Sequence, residues 1–547
     1  MTRESDLARR SGEIRKFFRF TTSNKATVTQ FLHDVDIEMK SYHAEINRHR
    51  TAIYTIERKR DKLKRTAELY GSLLSPIHNA PSEILTMIFT FACERNALLP
   101  STTPDSLRLS MVCGRWRDII FSTPNLWASI EVDFDQWTSN FHVLDELLEL
   151  FIRQSKASPL RLALTLPGAD YDGGASGRDE VLSILRSLVE QCERWEHVML
   201  KTVPHHFPSP IFELIRDRLP LLRSLYLVKH HESGELDEWN HWKQLPFNYF
   251  DNCPALRTLH VSPELFEPPE EEIALPWTQI KTLRVSTCFN VTAFPFLALC
   301  TSAECFELSE AGGVPAGEAD YSNHVVHNRV KIVDVVSAAN QGEVDGVLRH
   351  VTLGNLSSLR ISGSRNSLVD WPTWDSTCFE TFLHRSSCTI TSLYLKFLPI
   401  TDVQTLSLLR MIPTIRSLGI EERMIIRLNR IVTGRFLDGL NASQESPSPS
   451  STPLVPQLTD LKLVVHARHL DSDAFLTVLS SRWLPDPELG VGVECLRNVA
   501  IVVILSSGGD QDFERKGRLD CLECFRDAGM QISVTYGTLT QLYPDGA

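Results

Sequence analysis

Leu222-Arg223-Ser224-Leu225-Tyr226-Leu227, Leu256-Arg257-Thr258-Leu259-His260-Val261 and Ile280-Lys281-Thr282-Leu283-Arg284-Val285 share one pattern, L-x-x-L-x-L in its simplest form. Ile390 to Leu395 and Leu458 to Leu463 repeat it, and Leu160-Arg161-Leu162-Ala163-Leu164 is its first appearance. The last two apolar positions alternate with polar ones, as a half-buried strand requires, and the first apolar residue enters the core from the turn before it. Weaker copies lie at Trp195 to Leu200, Ala303 to Leu308, Val330 to Val336, Ser357 to Ile361, Ile415 to Ile420 and Val499 to Leu505. Each is followed by polar or helical sequence, so the region is expected to alternate short parallel strands with connecting segments.

Such a recurring unit is what a leucine-rich repeat needs, because one unit cannot cover its own apolar face and stacked neighbours can. The expected class is α/β, a leucine-rich-repeat-like solenoid over 131–547 whose irregular spacing implies connectors of varied length. Two inserts read as surface loops, 167–178 rich in Gly and Asp and 442–456 dominated by Ser and Pro. The second holds Ser446-Pro447, Ser448-Pro449 and Thr452-Pro453, sites a proline-directed kinase would accept. Leu519 to Ala528 reads as a helix feeding a last strand at Ile532 to Val534.

Upstream, a 4-3 spacing runs through Val28, Leu32, Val35, Met39, Tyr42, Ile46, His49, Ile53, Ile56, Arg60, Leu63, Ala67, Tyr70 and Leu74, with no Pro or Gly before Gly71. That is a heptad seam, and 27–74 is expected to be one long coiled-coil helix behind a disordered basic stretch at 1–26. The seam serves self-association or packs back on the rest of the chain; spacing alone leaves both open. The basic run around Arg58 to Arg65 flanks seam positions, as a solvated coiled-coil face does, and also fits a nuclear-import or nucleic-acid patch.

The chain has 547 residues and a net charge of −12, yet residues 1–75 carry 16 Lys and Arg against 10 Asp and Glu. The remainder is strongly acidic and would repel a phosphate backbone, so nucleic-acid binding by the body is disfavoured. No segment has the roughly 18 unbroken apolar residues of a membrane helix. Met1 to Lys16 lacks an apolar h-region, which leads us to expect an intracellular protein, cytoplasmic or nuclear, with its 12 cysteines reduced.

Between these regions, Pro81 suits the first position of a helix and Glu83 the positive end of its dipole, and Ile84, Leu85, Ile88, Phe89 and Ala92 form an apolar stripe. A second helix is expected from Ser106 to Phe121, with Leu109, Val112, Cys113, Trp116 and Ile120 on one face. Asn125-Leu126-Trp127 adds a short anchor. A bundle this small exposes apolar surface unless it docks on something, which marks an interaction module.

Ala80-Pro81-Ser82-Glu83-Ile84-Leu85, Ile88-Phe89 and Ser110-Met111-Val112-Cys113-Gly114-Arg115-Trp116 resemble the F-box family, whose motifs read Leu-Pro-x-Glu-Ile-Leu, Ile-Phe and Ser-x-Val-Cys-x-x-Trp. With Ser122-Thr123-Pro124-Asn125-Leu126-Trp127, the order of regions is similar to fungal F-box proteins with an N-terminal coiled coil and a divergent leucine-rich-repeat region. The resemblance implies a three-helix module at 75–130 that binds a Skp-type adaptor, and through it a cullin. Carried over by position, Pro81, Glu83, Ile84, Leu85, Ile88, Val112, Cys113 and Trp116 would meet the adaptor or hold the helices together. Ala80 stands where the family has Leu, which would cost about 2–3 kcal/mol of contact.

The expected function is that of a substrate receptor of a Skp-cullin-F-box ubiquitin ligase, with no catalysis of its own. A target protein would meet the strand residues Arg223, Tyr226, Arg257, His260, Lys281, Arg284 and Tyr394. A scaffold with a degenerate F-box is the alternative. No Walker loop, G-x-S-x-G, H-E-x-x-H or G-x-G-x-x-G occurs, so no catalytic residue, cofactor or metal is assigned. Cys521-x-x-Cys524 lacks a second ligand pair, and His205-His206 and His230-His231 sit in polar surroundings. Cys253 and Cys288 read as small packing residues.

Overall fold

The computed structural model describes residues 25–72, 74–137, 139–166, 174–202, 211–229, 248–263, 273–286, 290–309, 324–338, 341–363, 376–422, 430–442, 453–483, 492–505 and 522–538. The stretch 1–24, most of both expected loops with Ser446, Ser448 and Thr452, the two His pairs, Cys288 and Cys521 lie outside them. The chain forms two compact units, Met1–Ile88 and Phe89–Ala547.

The first unit carries α1 (Lys25–Ser72), a 48-residue helix. At 1.5 Å per residue it is about 72 Å long. None of its residues is buried. Leu32, Met39, Tyr42, Ile46, Ile53, Ile56, Leu63 and Tyr70 of the seam are all exposed. A single helical turn (Pro76–Asn79) follows, and α2 (Ser82–Ala92) crosses into the second unit.

Among the described residues, the second unit is built on a sheet of 15 strands in chain order. These are β1 (Ala97–Leu98), β2 (Ser129–Asp133), β3 (Leu160–Thr165), β4 (Trp195–Thr202), β5 (Ser224–Lys229), β6 (Thr258–Val261), β7 (Thr282–Ser286), β8 (Cys305–Ser309), β9 (Ile332–Ala338), β10 (Ser358–Gly363), β11 (Ser392–Lys396), β12 (Ser417–Glu421), β13 (Asp460–His466), β14 (Asn498–Leu505) and β15 (Gln531–Thr538). Every pairing in it is parallel, from β1 with β2 to β14 with β15. Parallel neighbours need a crossover, and several of the described connectors hold a helix, among them Phe141–Ser155, Thr377–Ser386 and Asp402–Met411. All the stretches read as strands are strands. β1 and β2 were not expected: Ile130, Val132 and Phe134 alternate and are buried, but they follow directly on the segment read as helical.

The apolar pattern explains the core. Leu222, Leu225 and Leu227 are fully buried, as are Leu256, Leu259 and Val261, Ile280, Leu283 and Val285, and Ala303, Phe306 and Leu308. The intervening turn residues hydrogen-bond in series: the Arg223 carbonyl accepts from the Arg257 and Thr258 amides, Arg257 from Lys281 and Thr282, Lys281 from Glu304 and Cys305, and so on to Thr459 with Arg497 and Asn498. Each carbonyl thus takes two donors, which extends the ladder one step beyond the strands and fixes their register.

Three of the connecting helices are capped by their own sequence. Thr401 closes a capping box with Gln404 ahead of Asp402–Met411, Thr433 accepts from the Phe436 amide, and Asp471 from the Ala474 amide. At the end of Ser472–Arg482, the Arg482 guanidinium is fully buried and donates to the carbonyls of Leu440, Leu454 and Val455. One side chain thereby ties both ends of the Ser- and Pro-rich insert. Burial pulls its pKa down to about 10.

The expected single helix from Ser106 to Phe121 is two: α3 (Asp105–Ser110) and α4 (Gly114–Ser122), with Cys113 extended at φ −158° between them. Ser110 donates its hydroxyl to the Leu107 carbonyl, and Gly114 disfavours a helix interior, so the run breaks where its helix propensity is lowest.

Candidate functional site

Two surfaces hold the residues singled out from the sequence. Residues 80–88 belong to the first unit. Ala80 is extended, and its amide closes the preceding turn on Ile77 at 3.3 Å. The Pro81 carbonyl accepts from the Leu85 amide at 3.1 Å, and Glu83 lies in the first turn of α2, where the helix dipole favours its charge. Pro81 and Glu83 are exposed. Along α2 the apolar residues form two stripes. Leu85, Phe89 and Cys93 just beyond the helix are buried; Ile84, Met87, Ile88 and Phe91, at spacings of three and four, are open to solvent.

In the second unit, Phe89 packs its ring on Trp116 with centroids 4.7 Å apart. Asn96, fully buried, is the polar hub: its amide nitrogen donates to the carbonyls of Leu126 at 2.9 Å and Ser129 at 3.2 Å, and its oxygen accepts from the Ser106 amide. Trp127 is buried against Phe151 and donates to the Ile120 carbonyl. This framework turns Met111 (69% exposed) and Val112 (59% exposed) outward, at the break between α3 and α4. Cys113 and Trp116 are half-buried.

Of the eight residues named from the sequence, Pro81, Glu83, Ile84, Ile88 and Val112 therefore present surface, Cys113 and Trp116 part of theirs, and Leu85 none. Sequence reasoning missed Met87, Phe91 and Met111. For Met87 and Phe91 the signal was present in α2, which is apolar on more than the one stripe that a core would need. Residues 78–132 match the F-box-like family. F-box domains bind Skp-type adaptors, so a protein partner is the kind that this region takes. A search of the curated proteins finds none that matches the chain. The F-box-like region includes β1 and all but the last residue of β2, so the large sheet begins within it.

The second surface is the polar face of the sheet. Tyr226, His260 and Arg284 are register partners on adjacent strands, and the same row continues through Glu307, Asp334 and Arg360 to Tyr394. Tyr226 meets His260 edge-on at 5.6 Å, and His260 shares a hydrogen bond with the Ser286 hydroxyl. Burial, then Arg284, lowers the His260 pKa to about 4. Arg284 pairs with Glu307 at 2.7 Å and Arg360 with Asp334 at 3.9 Å, while Tyr394 donates to Glu421 at 2.8 Å. Burial and the neighbouring Glu307 raise the Asp334 pKa.

Arg223, Arg257 and Lys281 stand in the hydrogen-bonded turn row beside it. Arg223 pairs with Glu196 at 3.3 Å and Lys281 with Glu304 at 2.9 Å; Arg257 donates to the Pro254 and Leu256 carbonyls. Lys281 and Lys331 together hold the Glu304 pKa down to about 2. The structure brings the named residues into two neighbouring rows, and adds Glu307, Asp334 and Arg360, which no spacing pointed to.

Among the described residues no group of three or more His, Cys, Asp or Glu could hold a metal, and no helix is long and apolar enough to cross a membrane. Cys253 is buried, and burial pushes its thiol, like that of Cys300, up to about 12.

Proposed function

We propose that this chain is the substrate-recognition subunit of a Skp-cullin-F-box ubiquitin ligase. The observation that carries the reading is the F-box-like match at 78–132, on residues that expose Ile84, Met87, Ile88, Phe91, Met111 and Val112. We read these exposed side chains as contacts for a Skp-type adaptor, which links to a cullin; within the second unit, Phe89 packs on Trp116. The sheet is a leucine-rich-repeat-like solenoid of the kind fungal F-box proteins carry, and its polar rows receive the target protein. The chain makes and breaks no bonds itself. It raises the target's effective concentration beside the ubiquitin-bearing enzyme. α1 pairs two copies as a coiled coil, consistent with a seam that buries nothing in one chain. Such an assembly works inside the cell.

Ala80 favours a second reading, a scaffold whose F-box-like region has lost its adaptor. Co-purification separates the two. The tagged chain should retain adaptor and cullin, more firmly with Ala80→Leu; failure of both forms to retain either would overturn the ligase reading.

A further inference from the structure

Along the sheet's polar face the charges change character. On the β5–β11 side Arg223, Lys281, Arg284, Lys331, Arg360 and Lys396 each have a carboxylate within 4.0 Å, while Arg257 donates to the Pro254 and Leu256 carbonyls. From β12 to β14, Arg416, Lys462 and Arg497 are exposed, and among the described residues none of the three has such a partner.

Lys462 lines a cleft, and Arg416 and Arg497 directly precede two of its lining residues, Ser417 and Asn498. Its volume is 520 Å3, and its polar lining comes from Ser417, Asp460, Lys462, Asn498, Gln531 and Ser533. The recess follows from the row that holds Tyr394. The next position is Gly419, then Lys462, Ala500 and Ser533. The Tyr394 ring lies over Gly419 so closely that a Cβ there would come within 2.1 Å of it. Lys462 thus rises between small residues, with its ammonium 5.3 Å from the Tyr394 ring centre. Asp460, the one carboxylate of the lining, already accepts from the Thr459 hydroxyl and the Asn498 amide.

We propose that this cleft seats a short acidic segment of the target protein, with Lys462, Arg416 and Arg497 as its counter-charges. The inference rests on the reading of the sheet as the target-binding surface. Arg416 and Arg497 belong to turn rows two strands apart, which places their backbones about 10 Å from each other, and Lys462 lies three residues beyond that row, again about 10 Å. Acidic side chains two or three residues apart on an extended peptide have spacings of about 7–10 Å. The Asn498 and Gln531 side-chain amides offer both donors and acceptors to the peptide backbone. The chain's net charge of −12 would repel a longer polyanion such as a nucleic acid.

The purified full chain, incubated with an array of random dodecapeptides, should enrich Asp and Glu. Lys462→Gln combined with Arg416→Gln should weaken the best acidic peptide by about tenfold. Asp460→Asn should strengthen it by about twofold to fivefold, a gain that misfolding cannot produce. Retention without acidic enrichment, no retention at all, unchanged binding by the double variant or preference for a single-stranded oligonucleotide would each overturn the proposal. None of these measurements involves the adaptor, so they separate this inference from the ligase reading.

Discussion

α1 and the strands of the sheet both place apolar residues at fixed intervals, but the strands bury theirs and the helix buries none. Leu225, Leu227, Leu259 and Val261 are fully enclosed, so the chain itself supplies the sheet's core and leaves the alternate positions for charge. α1 has the seam without the enclosure. α2 stands between them, with Leu85 and Phe89 enclosed and Met87 and Phe91 open. Periodicity reveals what kind of element forms; burial reveals whether its partner lies within the same chain.

The contrast breaks most visibly at Arg482. Arg482→Ala removes a buried side chain that satisfies three carbonyls, and should cost the sheet-bearing unit about 3–5 kcal/mol in urea unfolding. The helicity of α1, whose residues are all outside any core, should persist through that transition.

A smaller effect is expected at Glu422. It is buried, with one oxygen accepting from the Val432 amide at 3.0 Å, and burial raises its pKa to about 7. Its folded pKa lies above the unfolded one, so this group costs nothing below about pH 4.5, and stability falls as pH rises toward 7 and stays lower above it. Glu422→Gln should leave stability at pH 5 almost unchanged and raise it at pH 8 by up to about 3 kcal/mol, read from unfolding curves at the two pH values.

The smallest effect on stability is expected in α1. Ile46→Glu with Ile53→Glu should change unfolding of the sheet-bearing unit by less than about 0.5 kcal/mol. In analytical ultracentrifugation the same variant should sediment as a monomer where the native chain sediments as a dimer. A monomeric native chain would remove self-association from the account.

Most of the sheet was legible because L-x-x-L-x-L states its own burial at every copy. β1 was not, since two residues carry no period. The break at Cys113 was hidden because Leu109, Val112, Cys113 and Trp116 keep helical spacing across it, and only the break turns Val112 outward. The open stripe of α2 was passed over for a similar reason, as apolar residues on a short helix read first as core. Pairs such as Arg284 with Glu307 depend on register across strands joined by connectors of unequal length, which one sequence does not define.

We propose that the open stripe of α2 docks a Skp-type adaptor. Titrating purified adaptor into the full chain by calorimetry tests it most directly. A one-to-one complex is expected with the native chain, tighter binding with Ala80→Leu, and a loss of about tenfold or more with Met87→Asp and Ile88→Asp at an unchanged melting temperature. Absence of binding by both the native chain and Ala80→Leu, or equal binding by the double aspartate variant, would contradict it.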